Sequence, residues 1–108
     1  MNIWEPISLQ ELQTEIQKGV SNMTKEQENA WNKIKVEPNK WKEFENGEMG
    51  GGFWVVAMLR NEVIYYNDIE EGFNISPFTE FGVIAEYRTE QDELQWTLNK
   101  LKRHHNNS

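Results

Sequence analysis

His104 and His105 are the only histidines in the chain, and imidazole is the side chain best suited to acid–base work or metal ligation near neutral pH. They are adjacent and close to the end of the sequence, where side chains are seldom held in a fixed geometry, so residues 104–108 read as a flexible tail. The serines at 8, 21, 76 and 108 lack the glycine-flanked turn of a nucleophile elbow. Cysteine is absent, which removes thiolate nucleophiles and thiolate metal sites. The run Asn67, Asp68, Ile69, Glu70, Glu71, Gly72 has the oxygen richness of a calcium loop and a glycine at its sixth position, but Phe78 stands at the twelfth, where such a loop needs glutamate. It reads as a polar turn. Gly50 to Gly52 precede an apolar, strand-like run, which fits a bend or bulge better than a phosphate cradle at a helix start. Carboxylate pairs are numerous in any acidic chain and select no glycosidase chemistry without distances. The expectation is of a protein that is not an enzyme and uses no cofactor or metal.

Charge is the more informative feature. Between Asn67 and Glu93 lie eight carboxylates and one base, Arg88, while the rest of the chain balances its acids and bases, so the net charge of −7 is local along the sequence. A field of one sign attracts oppositely charged partners and speeds their encounter, which points to a basic protein partner. The same acidity disfavours nucleic acid, whose phosphates require clustered Lys and Arg, and disfavours anionic membrane surfaces. The longest apolar run, Phe53 to Leu59, is seven residues, far short of the roughly 20 of a membrane span. Met1 to Pro6 has neither the basic segment nor the apolar core of a secretory signal. With no cysteine to oxidise, the expected location is the cytoplasm.

At 108 residues the chain fits one domain that folds without disulfides, expected over 1–103. Ser8 with Glu11 forms a capping box, in which each side chain satisfies a backbone amide of the other residue. Leu9, Leu12, Ile16 and Val20 follow within an arc of about 80°, a core face. Gly19 marks the region of its end, and Thr24 with Gln27 repeats the box before Ala30, Trp31 and Ile34. Pro38 disfavours helix at Glu37, so this helical hairpin stops by about Val36. Phe53 to Leu59 is apolar on both alternating sets and reads as a central strand. A tight turn at Arg60 to Glu62 leads into a second strand, Val63 to Tyr66. Phe73 to Ile75 is a short strand ended by Ser76 and Pro77, and Val83 to Tyr87 a further one. Thr89 with Asp92 caps a last helix with Leu94, Leu98 and Leu101 as its buried stripe. The fold class is α+β: an N-terminal helical hairpin, a small mainly antiparallel sheet and a C-terminal helix.

Aromatic residues share the acidic region. Trp96 lies about 200° from Leu94 around the last helix, away from the leucine stripe, and tryptophan beside charge suits an interface anchor. Trp4, Trp31, Trp41 and Trp54 are expected in the core. Tyr65, Tyr66, Phe78 and Phe81 stand in or beside the acidic run. Facing outward, they would combine contact area with negative potential, which suits Lys or Arg. The candidate partner-binding set is Tyr66, Asp68, Glu70, Glu71, Phe78, Glu80 and Trp96: the acids to steer and pair, the aromatics to anchor.

The run from Gly52, Phe53, Trp54, Val55, Val56, Ala57 through Ile64, Tyr65, Tyr66, Asn67, Asp68, Ile69, Glu70, Glu71, Gly72, Phe73, Asn74, Ile75 and Ser76 resembles a family of small, largely uncharacterised bacterial α+β proteins. About half the chain takes part, and the resemblance carries a fold but no catalytic residues. In size, acidity and lack of catalytic groups the chain is also similar to the acidic immunity proteins of bacterial toxin systems. That similarity implies a stoichiometric inhibitor that occludes a basic surface of its partner. Two other readings compete: a small-molecule binding domain or minor enzyme with an aromatic pocket, and a homo-oligomer assembled through a strand edge or Trp96.

Overall fold

The computed structural model describes residues 5–47 and 51–105. Both capping boxes form. The Glu11 N–H donates to Ser8 Oγ (3.1 Å) and the Ser8 N–H to Glu11 Oε1 (3.2 Å), opening α1, Leu9–Ser21. The reciprocal Thr24 and Gln27 bonds (2.8 and 3.1 Å) open α2, Lys25–Ile34. Leu12, Ile16 and Val20 reach the core, whereas Leu9 falls outside it and is exposed.

The chain passes directly from α2 into β1, Lys35–Trp41, and continues through β2, Phe53–Leu59, β3, Glu62–Asn67, and β4, Gly72–Pro77. These form one antiparallel meander in the order β1-β2-β3-β4. β1 is a strand that sequence reading did not anticipate. It contains Pro38, which cannot donate to a ladder, and the pairing with β2 shifts between Lys35 and Asn39; an irregular edge is where a sheet tolerates proline. β2 lies in the interior of the sheet as expected. A register shift between Val55 and Ala57 explains its continuous apolar run: the extra residue lets Val56 and Ala57 face the same side.

The sheet is covered on both faces. On one, Val56, Ala57, Ile64, Tyr66, Phe73 and Ile75 meet Leu12, Trp31 and the expected stripe of α3 (Leu94–His105), Leu94, Leu98 and Leu101. α3 touches α1, α2 and β4 and ties the layer together. On the other face, Trp41, Phe53, Val55, Val63, Tyr65 and Ile84 form a second core, with Met58, Phe78 and Tyr87 at its margin. Its lid is the irregular 78–93 segment, fastened by buried polar side chains of the sheet. The Tyr65 hydroxyl donates to the Glu86 carbonyl (3.0 Å) and accepts the Arg88 N–H (2.7 Å). Asn67 Nδ2 donates to the Arg88 carbonyl. Asn74 takes both the N–H and C=O of Glu90, and Ser76 Oγ accepts the Ala85 and Glu86 N–H groups.

That fastening corrects three expectations. Val83 to Tyr87 is not a strand, because its backbone is held by side chains, by a turn bond from the Val83 N–H to the Glu80 carbonyl and by a single bridge to Lys42. β4 does not stop at Ile75 but runs on through Ser76 and Pro77 at the sheet edge. Thr89 caps nothing, since Glu90 is held by Asn74 and Phe73 N–H bonds Asp92 O; the helix begins at Leu94, with the Trp96 and Thr97 N–H groups on the Glu93 carbonyl. Nor do His104 and His105 belong to a tail. α3 extends through both, and they place Nδ1 and Nε2 at 3.1 and 2.7 Å from the Glu62 carboxylate. Trp31 and Trp41 are buried and Trp54 half-buried, as expected of core residues, while Trp4, Gly50 and residues 106–108 lie outside the described residues. Among the described residues no helix is long and apolar enough to cross a membrane.

Candidate functional site: an acidic cleft

The fold divides the acidic run. Asp68, Glu70 and Glu71 sit in the β3–β4 turn, where Asn67 Oδ1 accepts the Ile69 and Glu70 N–H groups. Phe78 and Glu80 leave from the opposite end of the same hairpin, because Asn67 pairs Gly72 at the turn and Glu62 pairs Pro77 at the far end, about 17 Å away at the rise of a strand. Farther along, Glu86, Asp92 and Glu93 meet Arg88, Lys100 and Lys18. The acidic stretch therefore does not act as one uniform field.

A different concentration of charge appears where α1 approaches the turn. Asp68 Oδ2 accepts the Ile7 N–H at 2.7 Å, and Trp54 Nε1 donates to the Ile7 carbonyl at 3.1 Å. These bonds bring the lead-in to α1 against the β3–β4 turn and open a cleft of about 450 Å³, lined by Glu5, Pro6, Ile7, Glu11, Thr14, Glu15, Tyr66, Asp68 and Glu71. Five of its nine described lining residues are carboxylates and none is a base. Among the described residues, Glu5, Glu11, Glu15 and Glu71 form no ion pair. Glu11 is held below the usual carboxylate range by the Ser8 N–H and then by the Ser8 hydroxyl, so it stays ionised.

Tyr66 lies at the floor. The residue is 5 % exposed, and its ring meets Phe73 edge-on at 4.9 Å. Burial first, then the charges of Glu15, Glu71 and Asp68, pushes its phenol up to about 12, so the hydroxyl is protonated at neutral pH. No described group forms a hydrogen bond with it.

Of the seven residues singled out by sequence, Tyr66, Asp68 and Glu71 come together here. Tyr66 is not the outward-facing anchor that was expected but a buried floor, and Tyr65 is fully buried under the 78–93 segment. Glu70 stands in the same turn outside the cleft lining. Phe78 is half-buried edge-on against Trp41 at 5.1 Å, and Glu80 is exposed at the distant end. Trp96 is 57 % exposed on α3, separate from the cleft. Glu5, Glu11 and Glu15 were missed because bases elsewhere in the chain balance them in a count. The available signal was Glu11 and Glu15 at helical i, i+4 spacing, two like charges on one face.

The carboxylates surround a space rather than a point: among the described residues no three acidic or histidine side chains converge closely enough to hold a metal ion. Spread negative charge over an aromatic floor suits an organic cation or a basic side chain. No protein family, curated protein or solved structure matches this chain.

Proposed function

We propose that this protein is a stoichiometric binder of a basic protein, with the cleft between α1 and the β3–β4 turn as its recognition site. The observation that carries the reading is the lining itself, five carboxylates from two separate elements with no base among the described residues. Grouping like charges costs folding energy through self-repulsion, and a cationic partner that enters the cleft relieves it. Charge complementarity of this kind raises association rates and discriminates against wrong partners. The specific form supported by small size, acidity and scarcity of catalytic groups is an immunity-type inhibitor, acting in a bacterial cytoplasm by covering the basic surface of a toxic partner.

The test is capture of partners from native-source lysate at low and high salt. Wild type is compared with Glu15→Lys/Glu71→Lys and with Glu80→Lys/Glu86→Lys, after circular dichroism shows that all three fold. The expected result is one basic protein, lost at high salt and on reversal of the cleft charges but retained on reversal of the distant pair. A partner indifferent to cleft reversal, or none, sinks the proposal.

Self-association has an observation of its own. Phe44 and Phe81 are 61 % and 69 % exposed, and their segments are joined by Lys42 N–H to Gly82 O and Ile84 N–H to Lys42 O. An apolar surface of this kind favours contact with a second copy, and concentration-dependent mass by sedimentation tests it.

A further inference from the structure

The Tyr66 hydroxyl is the most distinctive polar group in the cleft. The residue is 95 % buried by its 5 % exposure, lines the cleft, and bonds to no described group. A phenol can donate one hydrogen bond and accept another, and this oxygen is not among the fully buried polar atoms left without a partner, so the small exposed part of the residue includes the hydroxyl, which is open to an incoming donor. The carboxylates around it are not equivalent. Asp68 Oδ2 is engaged by the Ile7 N–H, and Glu11 Oε1 by the Ser8 N–H. Glu15 and Glu71 have neither an ion pair nor a side-chain hydrogen bond among the described residues, and they reach the cleft from opposite walls, the helix and the turn.

Resting on the basic-partner reading above, we infer that the cleft seats one primary ammonium, the side chain of a lysine on the partner, with its donors directed to Tyr66 Oη, Glu15 and Glu71. Arginine is the weaker fit. Its planar fork is matched by both oxygens of a single carboxylate, a pairing that engages one wall of the cleft and leaves the opposite carboxylate and the Tyr66 hydroxyl without a donor. A lysine ammonium is a compact charge whose three donors diverge, as do acceptors that come from a strand, a helix and a turn. The aliphatic stem then lies against Pro6 and Ile7, the apolar residues of the lining.

The probes are n-butylammonium, n-butylguanidinium and calcium, each titrated at matched ionic strength into isotope-labelled protein, with Tyr66 ring and Glu15 and Glu71 carboxylate signals read by NMR. n-Butylammonium is expected to shift all three sets saturably and to bind more tightly than the other two. Tyr66→Phe retains ring and packing and is expected to weaken it roughly tenfold, as for a lost hydrogen bond to a charged group; Glu15→Gln/Glu71→Gln is expected to abolish saturation. Equal or tighter binding of n-butylguanidinium or calcium overturns the assignment, as does unchanged affinity in Tyr66→Phe. A partner captured through Glu15 and Glu71 while n-butylammonium leaves Tyr66 unmoved overturns the lysine seat and leaves the binder reading standing.

Discussion

Replacing Tyr65 by Phe removes one oxygen and leaves the rest of the buried ring in place beside Phe53 at 5.6 Å. Two bonds disappear, from the hydroxyl to the Glu86 carbonyl at 3.0 Å and from the Arg88 N–H to the hydroxyl at 2.7 Å. Each intramolecular bond contributes about 1 kcal/mol net, and more when a buried partner is left unsatisfied. Glu86 and Arg88 are exposed residues, so water can reach part of what is stranded. The expected cost is therefore about 2 kcal/mol rather than the larger penalty of a dry core. With a urea slope of about 1–3 kcal/mol/M, the unfolding midpoint falls by about 1 M. Hydrogen exchange separates this from general weakening: the Arg88 amide is expected to lose protection beyond the global change, while amides in the β2–β3 ladder follow the global stability. An unchanged midpoint, or an Arg88 amide as protected as in wild type, would refute the claim that side chains fasten the lid of the second core.

Alkaline titration provides a related test, because burial pushes both Tyr65 and Tyr66 up to about 12. Raised phenol values stabilise the fold fully below about pH 10 and lose that contribution as pH rises through about 12, so Tyr65→Phe is expected to flatten the loss of stability in that window. At Gly19 a Cβ would sit 2.6 Å from Leu94 Cβ; the clash outweighs the helix preference of alanine, and Gly19→Ala is expected to cost about 1 kcal/mol in urea unfolding. Neutralising the cleft with Glu15→Gln/Glu71→Gln is expected to stabilise the free protein by about 0.5 kcal/mol at low salt while weakening partner binding. That gain is expected to vanish near 1 M salt, where screening reaches about 3 Å.

Elements announced by local chemistry were legible in the sequence. Ser8 with Glu11 and Thr24 with Gln27 located two helix starts, the alternating apolar sets of Phe53 to Leu59 gave an interior strand, and Leu94, Leu98 and Leu101 gave the inner face of α3. What escaped was set by distant contacts. Lys35 to Lys40 is polar, contains Pro38 and is largely exposed, so its edge strand has no alternation to detect. Thr89 and Asp92 carry a helix-start pattern, but Asn74 and Phe73 take the backbone there into sheet contacts, and tertiary bonds override local propensity. The candidate site was half visible for the same reason. Asp68 and Glu71 belong to the acidic run, whereas Glu11 and Glu15 join them through tertiary contacts, among them the bond from Ile7 to Asp68, 61 positions apart in sequence.

The two-sided covering of the sheet has a consequence for synthesis. Ile84 completes one core and Leu94, Leu98 and Leu101 the other, so both faces of the meander wait for residues that follow β4. During elongation from the N-terminus, the four strands leave the ribosome before any of these residues. Until then Val55, Val63 and Tyr65 on one side and Ile64, Phe73 and Ile75 on the other have only partial cover. A nascent chain whose Pro77 has cleared the exit tunnel while residues from Ile84 onward are still inside would present incompletely covered apolar surface on both faces, the condition that recruits chaperones or drives aggregation. Arrest with Pro77 outside the exit tunnel and Ile84 inside should thus yield a protease-sensitive nascent chain, and arrest on an added C-terminal extension long enough to bring residue 105 outside the tunnel a protected one.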